Sequence, residues 1–117
     1  MLTDPQVVTV NAIAKSMARI LIDGKGKTTY QNSDGTFKLT VSHQHSGKRI
    51  RSMARLDQKA IVTDPLTAAN DYDTLTFYYV IDRPEYGFSL AQTQQQVAGF
   101  NAWLDATMVG KLYGEEA

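Results

Sequence analysis

The residues Ser46–Lys59, SGKRIRSMARLDQK, carry Arg49, Arg51 and Arg55 at odd positions, with Met53 among them. Ile50, Ala54 and Leu56 occupy even positions, together with Ser52. Period-two alternation of this kind marks a strand with one face buried. The guanidinium groups then share the other face, where a planar fork of donors suits phosphate or carboxylate. No obvious acidic stripe accompanies them in the sequence, so the expected partner is an anion from outside the chain. The preceding run TFKLTVSHQH (Thr36–His45) alternates too, with Phe37, Leu39 and Val41 on one side and Lys38, Thr40, Ser42 and Gln44 on the other. A turn at Ser46-Gly47 would return the chain antiparallel and place these polar residues beside the arginines. Thr74, Thr76 and Tyr78, from a third alternating run, extend the same face. Cations for phosphates, short polar side chains for base edges and a tyrosine for stacking together suit RNA. A solvated outer face of an antiparallel sheet has the same pattern.

Other chemistries find less support. GKGKTT (Gly24–Thr29) ends like a phosphate-binding loop, but leucine stands at position 21 where glycine is required, and turns follow instead of a helix. His43 and His45 share a strand face, yet the chain has no other histidine and no cysteine to complete a zinc site. They read as packed or turn-proximal side chains. Asp64, Asn70, Asp71 and Asp73 offer oxygen ligands for calcium, without the spacing of an EF-hand. No nucleophile–base pair or paired carboxylates can be located, so the expectation is a protein without catalytic activity, metal or cofactor.

The elements that must hold these residues follow from pattern and punctuation. Val7–Met17 reads as a short hairpin turning near Asn11-Ala12, so residues 1–17 form an N-terminal hairpin. Ala18–Asp23 and Thr28–Gln31 read as further strands, and NSDG (Asn32–Gly35) as a turn. DTLTFYYVID (Asp73–Asp82) alternates, with Leu75, Phe77, Tyr79 and Ile81 on its apolar side. The sheet is thus expected over residues 18–82, with Lys59–Asp73 as a long connecting loop around Pro65. Ser89 and Gln92 then make a capping box. Leu90, Val97, Phe100, Leu104 and Met108, with Trp103, follow at helical spacing. A break near residues 105–107 divides residues 89–113 into two helices. The layout is α+β: an antiparallel sheet with helices on one face.

Bulk properties fit one domain of 117 residues without a membrane span or signal peptide. Net charge is zero, but residues 1–60 hold ten Lys/Arg against four Asp, and residues 61–117 hold two against eight acids. One basic and one acidic surface follow from that asymmetry. The helical stripe of Leu90, Val97, Phe100, Trp103, Leu104 and Met108 exceeds what one thin sheet can cover, which predicts a dimer sharing its core. A compact monomer would use the same residues as its own core.

Taken together, TFKLTVSHQHSGKRIRSMARLDQK, the proline-bearing loop, DTLTFYYVID and SLAQTQQQVAGFNAWLDA resemble the coat proteins of single-stranded RNA bacteriophages, the levivirus-like group. The likeness is good over Thr36–Ala106 and fair over the N-terminal hairpin, and it rests on strand order, loop position and length together. It implies an interlocked dimer with a continuous sheet and an icosahedral shell built from such dimers in the host bacterial cytoplasm. It also implies an inner sheet face that binds genomic RNA, including a hairpin through which replicase translation is repressed. The residues it assigns to RNA are Lys38, Thr40, Ser42, Gln44, Arg49, Arg51, Met53, Arg55, Thr74, Thr76 and Tyr78. Residues 59–73 match the loop that meets around the shell's symmetry axes. The rival expectations are a cellular dimeric RNA-binding regulator that never forms shells, and a plain scaffold domain.

Overall fold

The computed structural model describes residues 2–24, 26–63, 65–66 and 70–117, with the backbone alone at Asp23. Among the described residues there are six strands, β1 (Gln6–Val10), β2 (Ile13–Asp23), β3 (Lys27–Gln31), β4 (Phe37–Ser46), β5 (Arg49–Thr63) and β6 (Asn70–Pro84). Two helices follow, α1 (Leu90–Trp103) and α2 (Ala106–Tyr113). The strands form one antiparallel sheet in chain order. The α+β order expected from the sequence is therefore present. The chain divides after Arg83 into a sheet unit and a helical unit.

In the sheet unit, β1 and β2 are joined by the two residues Asn11 and Ala12, both at positive φ (52° and 61°). This is the primed geometry that matches the twist of a hairpin. β2 does not stop at Met17, where the sequence reading ended the hairpin. It runs unbroken to Asp23, because no turn residue interrupts it. A register shift between Arg19 and Leu21 inserts Ile20 without a partner. Such a bulge reverses the alternation. Before it, Met17 and Arg19 point to the core; after it, Leu21 pairs with Thr29 on the opposite face.

Met17, Tyr30 and Phe37 form the buried core, and Val8, Val10, Leu39 and Leu56 pack against it. Lys15 lays its ammonium over the Phe37 ring (5.0 Å), and the Arg19 guanidinium lies over Tyr30 (5.6 Å). The β1–β2 hairpin is therefore folded onto the apolar face of β3–β5, its long cationic stems covering aromatic rings. Asn32 and Asp34 fix the β3–β4 turn. The Asp34 carboxylate accepts from the Thr36 backbone N–H (3.1 Å) and Oγ1 (2.7 Å), and these bonds hold its pKa below the ordinary aspartate value.

The β4–β5 turn is Gly47-Lys48, one residue later than expected, since Ser46 pairs with Arg49. Gly47 takes φ +61°, which a side chain would oppose. The long loop expected over residues 59–73 is also corrected. β5 continues to Thr63 and β6 begins at Asn70. Ala60–Thr63 is rich in β-branched residues, and cross-strand contacts override the turn preference of Asn70-Asp71. Lys59 stacks its ammonium over Tyr72 (4.7 Å), and the Thr63 hydroxyl donates to Asn70 (2.8 Å). The connection shrinks to residues 64–69, of which 64 and 67–69 lie outside the described residues.

In the helical unit, Ser89 and Gln92 form the expected capping box at α1. Asp105 caps α2, accepting from the Met108 N–H at 2.9 Å, which explains the break. Neither helix contains a buried residue. Among the described residues no helix is long and apolar enough to cross a membrane.

Candidate nucleic-acid interface

The β4–β5 register decides which side chains share a face. Lys38 pairs with Asp57, Thr40 with Arg55, Ser42 with Met53, Gln44 with Arg51 and Ser46 with Arg49. All eight residues expected there from β4 and β5 are thus on one side. β3 adds Lys27, Thr29 and Gln31, paired with Ser42, Thr40 and Lys38. β6 joins through side chains. Thr76 donates to Asp57 (2.7 Å), and Arg49 reaches Asp82. Period two then places Thr74 and Tyr78 on the same side as Thr76. His43 and His45 lie on the opposite face. Both are exposed, His45 close to the β4–β5 turn as the turn-proximal reading expected, and His43 Nδ1 meets the Ser52 hydroxyl at 2.9 Å.

Sequence reasoning missed Lys27, Asp57, Lys59 and Asp82 as members of this face. Asp57 and Lys59 were legible, because they continue the odd-numbered row of the arginines. Lys27 was not, since its phase depends on the register of β3 against β4. The expectation that the arginines lack acidic partners within the chain is also corrected. Arg49 Nε binds Asp82 Oδ1 at 2.9 Å, and its Nη2 donates to the Asp82 carbonyl at 3.2 Å. Arg55 Nε binds Asp57 Oδ1 at 3.0 Å. Arg51 has no such partner among the described residues. The face still carries six cations (Lys27, Lys38, Arg49, Arg51, Arg55, Lys59) against the ion-paired carboxylates of Asp57 and Asp82, and the register sets Asp23 of β2 opposite Lys27. The Arg49–Asp82 pair is half exposed on both sides, so solvent screens it and it contributes at most about 1 kcal/mol.

On this face lies a shallow depression of about 400 Å³ lined by Lys27, Lys38, Thr40, Ser42, His43, Gln44, Met53, Arg55 and Asp57. Thr40 is buried there. Cations around short hydroxyl-bearing side chains make a site for a flat polar ligand with attached negative charge. No group of three His, Cys, Asp or Glu gathers to hold a metal among the described residues. Asp71 and Asp73 instead accept from the next backbone N–H in β6. Asp64 of the calcium reading and Lys25 of the phosphate-loop reading lie outside the described residues.

The candidate dimer residues lie on the helical unit. Phe100 and Trp103 stack with centroids 5.4 Å apart and planes 7° from parallel. Leu90, Phe100 and Trp103 are exposed, while Val97, Leu104 and Met108 are half-buried. On β6, the apolar row of Leu75, Phe77, Tyr79 and Ile81 is exposed as well.

This fold recurs in solved structures of virus-like particles and of a bacteriophage coat protein. The virus-like particle of Beihai levi-like virus 21 matches with a TM-score of 0.73 and 17% identity, covering 100% of this chain and 98% of the other. The virus-like particle of bacteriophage AVE019 matches at 0.74 with 13% identity, over 89% and 87%. The bacteriophage EMS014 coat protein matches at 0.68 with 18% identity, over 91% and 78%. No protein-family model and no curated protein sequence matches the chain. The chain therefore has the levi-like coat-protein fold over its whole length, at sequence identities where fold alone is shared.

Proposed function

We propose that this chain is the coat protein of an RNA bacteriophage, a structural and non-catalytic protein that closes into an icosahedral shell around single-stranded RNA. The observation that carries the reading is the six-cation sheet face, in a fold whose neighbours include virus-like particles. Exposed guanidinium groups are tolerated on a wet face, and RNA phosphates reach them on assembly. Lys38, Thr40, Ser42, Gln44, Arg49, Arg51, Met53, Arg55, Thr74, Thr76 and Tyr78 form the RNA surface, and one genomic hairpin bound there represses replicase translation.

The building block is an interlocked homodimer. β6 is a sheet edge of 15 residues. Its one proline is its last residue, and it has no lysine. Natural proteins protect such edges or pair them. Pairing β6 with that of a second copy makes one continuous sheet. The helices, which have no buried residue, then place Leu90, Val97, Phe100, Trp103, Leu104 and Met108 against the partner. The connection between β5 and β6 makes contacts between dimers.

Expression in bacteria, nuclease treatment, size exclusion and negative-stain microscopy test this directly. Uniform particles with a 260/280 absorbance ratio of protected nucleic acid are expected. Dimers that bind RNA and never close would instead mean the cellular regulator, and dimers indifferent to RNA would leave only a scaffold.

A further inference from the structure

Arg55 differs from its neighbour Arg51 in one respect that decides what it binds. Its Nε donates to Asp57 Oδ1 at 3.0 Å, and the same oxygen accepts from Thr76 Oγ1 at 2.7 Å. The Asp57 side chain is only 13% exposed, whereas that of Arg55 is 47% exposed. Asp57 is thus anchored from β6, and it fixes Arg55, which lines the same depression as the buried Thr40. Both Nη groups of Arg55 have no partner among the described residues.

We infer that Asp57 is a positioning residue that turns Arg55 from a phosphate-binding cation into a reader of an unpaired guanine. The inference rests on the RNA-binding reading above and assigns the specificity of that same face. A phosphate bidentate on the Nη groups would sit within several ångströms of a carboxylate that already balances the guanidinium charge. Like charges at that range repel, and the repulsion is strongest where water is partly excluded. A guanine edge meets no such penalty. Its O6 and N7 are a pair of neutral acceptors matched to two parallel N–H donors. Adenine presents one acceptor and one donor there, so it mismatches the fork. Fixing Nε on Asp57 also removes side-chain freedom that binding would otherwise have to remove. Met53, paired across from Ser42 at the same depression, offers a polarisable thioether for the base face. Arg51 and Lys38 have no ion-pair partner among the described residues, and they take the phosphates.

The test uses the full chain and three RNA stem-loops with one stem and one loop. The loop's single purine is guanine, 7-deazaguanine or adenine. The parent should bind the guanine loop roughly tenfold or more tightly than either alternative, the discrimination that one bidentate pair supplies. Asp57→Asn should collapse that ratio and steepen the salt dependence by about 0.7 in log–log slope, because Arg55 is released to a phosphate. Thr76→Val, which frees Asp57 without changing charge, should lower the ratio with a smaller change in slope. Asp57→Glu keeps the charge and should keep the shallow slope, which separates the proposal from misfolding. If the parent binds all three loops equally, or Asp57→Asn leaves both ratio and slope unchanged, the base-reading assignment is overturned while RNA binding stands. If the parent binds none of the three, the RNA reading itself fails, and this inference with it.

Discussion

Replacing the three arginines one at a time separates phosphate contacts from charge that is already balanced within the chain. Arg51 has no carboxylate beside it among the described residues, whereas Arg49 is held by Asp82 and Arg55 by Asp57. For single-stranded RNA, each neutralised phosphate contributes about 0.7 to the slope of log K against log salt. Arg51→Ala should therefore lower the slope magnitude by about 0.7. Over a fourfold rise in salt, the variant should lose roughly two- to threefold less affinity than the parent. Arg49→Ala and Arg55→Ala should change the slope by clearly less, since each removal leaves an unbalanced aspartate that repels RNA but no vacant phosphate contact. All three should retain the fold, because exposed pairs are worth at most about 1 kcal/mol. Fluorescence anisotropy of a labelled RNA across a salt series reads the slopes, and thermal melting checks stability. Equal slope changes at the three positions would refute the sorting of the arginines, and an unchanged slope in the triple variant would remove Arg51 from the phosphate contacts.

Trp103→Ala should weaken the dimer at least tenfold by analytical ultracentrifugation, since a large aromatic exposed in the single chain is expected to anchor the partner; an unchanged dissociation constant would move the interface off α1. Ala12→Gly should raise unfolding stability by roughly 0.5–1 kcal/mol in denaturant titrations, because alanine at φ 61° carries a cost that glycine avoids. Tyr30→Ala should cost about 3–5 kcal/mol, as a fully buried ring at the centre of the core leaves a cavity. Asp34→Ala should destabilise the chain at neutral pH, with a gap that closes in acid. The Asp34 pKa is lowered on folding, so its contribution is complete above the ordinary value of about 3.9 and is lost as pH falls through the lowered one. Melting curves from pH 7 downward check the sign.

Much of the candidate interface was legible because period two survives any error in strand ends. The alternation of Thr36–His45 and of Arg49–Asp57 fixes which residues travel together, and a short turn fixes that the two strands are antiparallel. A turn misplaced by one residue leaves the grouping intact when the alternation itself anchors each face. The capping box at Ser89 and Gln92 was equally readable, because both partners lie within one turn of helix. The strand limits were not. Asn70 and Asp71 prefer turns in isolation, and their strand conformation depends on β5, where Thr63 bonds Asn70 and Lys59 lies over Tyr72.

By itself, then, the sequence determined the α+β order, the arginine row with its polar neighbours, and the excess of apolar helix surface. These are set by local periodicity and composition. Only the tertiary structure decided that Ile20 bulges out of β2 and reverses its alternation, so that Met17 and Arg19 reach the core while Leu21 does not. It also decided that Asp82 of β6 stands beside Arg49, and that Thr76 of β6 anchors Asp57 beside Arg55, while Arg51 stands without a carboxylate among the described residues. Charge pairing across strands depends on register to a single residue, and register is set by the packing of the whole sheet, not by any one segment.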